Sequence, residues 1–190
     1  MSAEAIYNVT VALRDRLKAA VNGHGVTGTV FVGPLNEAAS GADLILFLYR
    51  VVPSATLRNR EHRVASAGPK ASIVYRNALP LDLYFLITVG TTPAPGEEPL
   101  LRALGYAIQA LQLDPNLVGA PVGQETIHVP LEPLSTEEAS RIWALFPTAN
   151  YRTSVAYVAS PVWIDPPQPE SEAAPITTDA LNAGALGVTQ

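Results

Sequence analysis

Between Asn77 and Gly90 the chain reads NALPLDLYFLITVG, and no other stretch limits the possible folds so sharply. Side chains on an extended strand point alternately to opposite faces. Leu81, Leu83, Phe85, Ile87 and Val89 therefore share one face, and Asp82, Tyr84, Leu86 and Thr88 share the other. A strand wholly apolar on one side and half apolar on the other belongs in the middle of a sheet, covered on both faces. Pro80 stands at its entrance, where a missing N–H costs least, and Gly90 followed by Thr91, Thr92 and Pro93 closes it.

The remaining segments have to pack on this strand. Ile6, Val9, Leu13, Leu17 and Val21 recur at helical spacing and predict a helix over 6–21, which Asn22-Gly23 is expected to end with a left-handed cap. DLILFLYRVV at 43–52 predicts a second strand. Residues 96–113 predict a second helix, with Glu97, Glu98 and Pro99 in its first turn and Leu100, Leu101, Leu104, Ile108 and Leu111 as its core stripe. Gln124 to Val129 is a short strand. Ser135 and Glu138 form a capping box that opens a third helix through Phe146, with Ile142, Leu145 and Phe146 inward and Trp143 over an edge. Thr153 to Ile164 is the last strand, and Pro161 confines its far end to a sheet edge or a bulge. The fold expected is α/β (α+β): a single domain over 1–164 whose mixed, mostly antiparallel sheet of four to five strands is covered by about three helices. Residues 165–190, rich in Pro and Ala, hold too little apolar area to fold alone and are expected as an extended C-terminal arm.

Composition removes several classes. A chain of 190 residues, 48% hydrophobic, can bury one real core. A net charge of −5 is the wrong sign for nucleic-acid binding. Without cysteine there are no disulfides and no thiolate metal sites, as suits a reducing compartment. The N-terminal residues lack a basic region followed by an apolar run, so no signal peptide is expected. No apolar run approaches the roughly 20 residues that span a bilayer. A soluble protein made in the cytoplasm, with no membrane insertion, is the expectation.

Catalytic patterns are scarce. His24, His62 and His128 fall in a turn, a polar loop and a short strand, without the spacing of a metal pair, and read as surface or partly buried histidines. No nucleophile elbow and no phosphate-loop lysine is present. Gly23-His24-Gly25-Val26-Thr27-Gly28 matches the dinucleotide glycine pattern, but it follows a helix and opens an extended stretch, the reverse of the required context. A flexible turn is expected there, and the alternative of a small-ligand or nucleotide-binding module rests on this pattern alone. Asp43 and Asp82, on adjacent strands, are a candidate acid–base pair set against two solvated strand ends. Asn8-Val9-Thr10 is a formal glycosylation sequon without meaning on a first helix that lacks a secretion signal. Residues 54–70 read as a polar, irregular loop. Arg58, Arg60 and Arg63 within it are a candidate surface for an acidic protein partner, because guanidinium groups pair with carboxylates in a two-pronged geometry; the alternative is a solvated loop.

Several blocks in fixed order carry a more specific signal: AIYNVTVALRDRL at 5–17, ILFLYRVVPSATLRN at 45–59, LPLDLYFLITV at 79–89, LGYAIQALQLDP at 104–115, LEPLSTEEASRIWALF at 131–146 and YRTSVAYVASPVWI at 151–164. Together they closely resemble the cap, or tail-terminator, proteins of phage-tail-like contractile injection systems, from Ala5 to Ile164. The resemblance implies a structural role without enzymatic activity or cofactor: a six-fold ring on the tail end distal to the baseplate. Its implied partners are the inner tube protein, the sheath protein and five further copies of itself. Such a ring halts polymerisation and holds sheath to tube, in a particle that is cytoplasmic, membrane-anchored or released. The segment from Ala173 to Val188 lies outside the resemblance and is expected to reach a neighbouring cap or sheath subunit, as an added strand on an exposed edge.

Overall fold

Apolar residues at every third or fourth position fold the N-terminal segment into α1 (Ala5–Asn22), which buries Ala5, Val9, Leu13, Leu17 and Val21. The computed structural model describes residues 3–23, 28–35, 39, 41–65, 72–91, 96–168 and 171–173. After α1 come β1 (Val30–Val32), β2 (Leu44–Pro53), β3 (His62–Ala65), β4 (Ser72–Tyr75) and β5 (Leu79–Val89). Next follow α2 (Glu98–Leu113), β6 (Asn116–Gly119), a 3-10 turn (Ala120–Val122), β7 (Gly123–His128) and β8 (Leu131–Glu132). Last are α3 (Thr136–Trp143), β9 (Ser154–Ile164) and β10 (Ser171–Ala173).

Seven strands form one sheet in the order β1-β2-β5-β9-β7-β6, with β8 also paired to β9. Its pairings are antiparallel except β1 with β2. A second, antiparallel sheet runs β10-β4-β3. The architecture is the expected α+β domain with three helices and a mostly antiparallel sheet, and it holds more strands than the four to five anticipated. The additions are short: β4, β6, β8 and β10 have four residues or fewer, too few for an alternation to show. The expected loop over 54–70 is corrected in the same way, because β3 begins at His62 and pairs with β4.

β5 lies between β2 and β9 and is covered on both faces. Leu81, Leu83, Phe85, Ile87 and Val89 join the larger core with the buried stripes of α1 and α2. Leu86 joins the smaller one, with Ile45, Ile142, Trp143, Phe146 and Ala156. Gly90 ends β5 where a side chain has no room: a Cβ there would lie 1.8 Å from the Ala42 carbonyl oxygen. The Gly90 N–H donates to the Asp43 carbonyl at 2.7 Å, and the Arg152 guanidinium donates to the Gly90 carbonyl.

Helix details depart from expectation in three places. Gly23 keeps right-handed geometry (φ −63°, ψ −15°), so α1 has no left-handed cap. The buried stripe of α2 is Leu100, Ala103, Leu104, Ala107 and Leu111, which leaves Leu101 43% exposed, a helical step of about 100° away from Leu100. α3 carries the expected capping box of Ser135 and Glu138 but stops at Trp143. Leu145 therefore falls in the turn beyond and is 65% exposed, while Trp143 is buried and its Nε1–H donates to Ser154 Oγ at 3.4 Å. At Pro161 the expected bulge is present: Ser160 and Pro161 together oppose Asp82, between the Leu81–Val162 and Leu83–Ala159 pairs.

Candidate interaction surface and the His62 cluster

The arginines sit on a well-anchored turn. Ser54 is buried and its N–H donates to the Pro80 carbonyl at 2.9 Å, after which Arg58 N–H to Ser54 O (3.1 Å) and Arg60 N–H to Leu57 O (2.9 Å) coil the backbone. Arg58 and Arg60 are exposed and have no ion-pair partner among the described residues. On β3, Arg63 Nη2 lies 3.0 Å from Glu61 Oε2, and Arg76 Nε at the end of the hairpin lies 3.4 Å from Glu61 Oε1. Exposed pairs of this kind contribute about 0–1 kcal/mol, so they yield readily to an external carboxylate. Arg63 and Arg76 thus share Glu61, while Arg58 and Arg60 stand on the turn that precedes it.

Between those outward residues, His62 turns inward and is 4% exposed. Its Nδ1 lies 2.6 Å from Asp165 Oδ1, and its Nε2 lies 2.8 Å from Glu125 Oε1. The ring stacks on Trp163 at 4.5 Å between centroids and faces Tyr75 at 6.1 Å. Burial is the strongest single influence on the imidazole and lowers its pKa. The hydrogen bonds and charges of Glu125 and Asp165 together outweigh it, and the net displacement is upward from the ordinary histidine value. Because β3 belongs to the small sheet, while Glu125 lies on β7 and Asp165 follows β9, this one side chain bridges the two sheets. Sequence alone showed a histidine in a polar loop; its only hint was the alternation Glu61-His62-Arg63 around a strand that had not been recognised.

The other candidates separate. Asp43 precedes Leu44, the partner of Val89, whereas Asp82 pairs with Val52 at the far end of the same ladder. Asp43 Oδ2 accepts the Thr29 N–H at 2.7 Å, and Asp82 Oδ1 accepts from Ser160 Oγ at 2.6 Å, so the acid–base pair does not exist. His128 is exposed, with Nδ1 3.0 Å from Asn116 Oδ1. Of the glycine pattern, residues 24–27, His24 included, lie outside the described residues. Gly28 donates its N–H to Asn22 Oδ1 at 2.8 Å, and a Cβ there would meet Val21 Cγ1 at 2.1 Å. The pattern runs from α1 into β1, opposite to a dinucleotide site. Among the described residues no group of three or more His, Asp or Glu is placed to hold a metal, and no helix is long and apolar enough to cross a membrane.

Two grooves flank α3. One, of about 570 Å³, is lined by Leu131, Leu134, Trp143, Tyr151 and Val155; Leu131 is 53% and Tyr151 69% exposed. The other, of about 400 Å³, holds Tyr49, Tyr84 and Glu132, with the Arg50 guanidinium 5.0 Å above the Tyr84 ring. Burial, then Glu132, raises the pKa of the Tyr49 hydroxyl.

The family model described as the Pvc16 N-terminal domain matches residues 8–178. The chain belongs to this family. The Pvc16-type fold recurs in two structures solved by cryo-electron microscopy. One is the sheath/tube terminator, in its extended state, of the extracellular contractile injection system PVC: 18% identical, TM-score 0.58, aligned over 97% of this chain. The other is the tube-terminating cap of the anti-feeding prophage: 20% identical, TM-score 0.60, aligned over 90% of this chain. The chain spans 65% and 59% of those two proteins. No curated protein matches it by sequence.

Proposed function

We propose that this chain caps the tail of a contractile injection system. Six copies form a ring on the end distal to the baseplate, engage the last rings of inner tube and sheath, halt their growth and hold one to the other. The observation that carries the reading is the likeness of fold, over 97% of the chain, to a protein described as a sheath/tube terminator. The physical logic agrees. A head-to-tail polymer always presents a sticky end, and stopping it takes a ring that matches that end on one side and offers no continuation on the other. Modest contacts suffice, because linked copies engage together at high effective concentration. Recognition by shape and charge requires no bond to be made or broken, so the role is structural, without cofactor, nucleic acid or membrane insertion. Arg58, Arg60 and Arg63 are the proposed contact for acidic faces of tube or sheath, and the C-terminal arm is the proposed link to a neighbouring subunit.

Particles assembled with and without this chain test the reading. Without it, electron microscopy is expected to show tubes of uncontrolled length and sheath lost from the distal end. Normal lengths and intact ends overturn it.

A further inference from the structure

We propose that the His62 imidazolium is a proton-dependent latch that fastens the β3–β4–β10 sheet to the main sheet. The inference goes beyond capping and does not rest on it. The geometry sets the requirement: both ring nitrogens sit within 2.8 Å of a carboxylate oxygen, Nδ1 facing Asp165 and Nε2 facing Glu125. Carboxylates only accept, so both nitrogens must carry a proton for this arrangement to be attractive on both sides. A neutral ring has one N–H, and its bare nitrogen then opposes a carboxylate at hydrogen-bond distance with no proton between them. The site has little water to screen that repulsion, since His62 is 4%, Asp165 7% and Glu125 18% exposed.

The groups facing the ring from each packed element are few. Glu125 comes from β7, Asp165 from the segment after β9, Tyr75 from β4 and the indole of Trp163 from β9. On β3 and its approach, Glu61 and Arg63 point outward and pair with each other. Proton loss removes the positive charge that His62 sets between the two carboxylates, where the small sheet meets the main one. β3 and β4 pair with each other through their own ladder, so they form one unit for local opening.

Hydrogen exchange on the full chain from pH 6 to 9, corrected for intrinsic rates, tests the latch alongside imidazole resonances followed by NMR. The β3 and β4 amides are expected to lose protection several-fold with the midpoint at which His62 deprotonates, while β5 amides keep theirs. Protection of β3 and β4 that does not follow His62 titration overturns the proposal. Glu125→Gln preserves size and removes one of the two facing charges; with β5 protection unchanged, it should move the midpoint to lower pH. A midpoint left in place overturns the proposal equally.

Discussion

The imidazole of His62 and the indole of Trp163 lie face to face, their planes 7° apart, so the small sheet meets the large one through an aromatic stack that is also a titrating contact. Such stacks contribute about 0.5–1.5 kcal/mol beyond the area they bury. The titration adds a pH dependence of definite sign. A histidine whose folded pKa is raised stabilises the fold fully below its unfolded value of about 6.5, and that contribution disappears as pH rises through the folded pKa. Urea midpoints of the whole chain should fall from pH 6 toward alkaline pH. His62→Gln should flatten the profile; an equally steep decline in that variant assigns the dependence elsewhere.

Gly90 and the Ala42 carbonyl allow a sharper test of packing. Alanine at position 90 places a methyl 1.8 Å from a backbone oxygen that cannot rotate away. Gly90→Ala should lose about 1–3 kcal/mol or more in chemical denaturation, the usual cost of forcing extra volume into a packed site. A neutral result would mean that the β2–β5 junction is looser than its hydrogen bonds indicate.

Truncations should separate the core from residues that only look apolar. Phe85→Ala, at 0% exposure, should cost about 3–5 kcal/mol. Leu101→Ala and Leu145→Ala, on exposed positions, should stay within about 0.5 kcal/mol of the parent chain. Comparable losses at all three sites would contradict the burial assigned to β5, to the faces of α2 and to the turn after α3.

Charge reversal at Arg58, Arg60 and Arg63 should leave thermal stability near that of the parent, because all three are exposed and the one pairing, Arg63 with Glu61, is exposed too. Tail binding should fall sharply and tubes should lengthen. Binding and length unchanged in a folded triple variant would remove these arginines from the proposed interface.

Long, uninterrupted patterns were legible in the sequence and short or composite ones were not. β5 and α1 carry their periodicity through enough residues for the covered faces to be assigned one by one, and the Ser135–Glu138 capping box is local chemistry that needs no tertiary knowledge. β4 and β8 are defined only by the strands they pair with. On α2 the two alanines take core positions that leucine counting had assigned to Leu101, since small residues let helices approach closely. The His62 cluster was hidden for a related reason. Its carboxylates are 63 and 103 positions away in sequence, and no spacing rule joins residues that only a finished sheet brings together.

The ladder between β5 and β9 also has a consequence in time. Asp82 and the Ser160 hydroxyl that it holds are 78 residues apart. At synthesis rates of about 5–20 residues per second, the ribosome delivers the first roughly 4–16 seconds before the second. During that interval the nascent chain displays the strand that the finished fold buries most completely with one whole edge unpaired, a template for the same strand on a neighbouring polysome. The chain is most vulnerable to aggregation while it is being made, and slowing translation between the two strands should lower its soluble yield more than slowing it anywhere earlier.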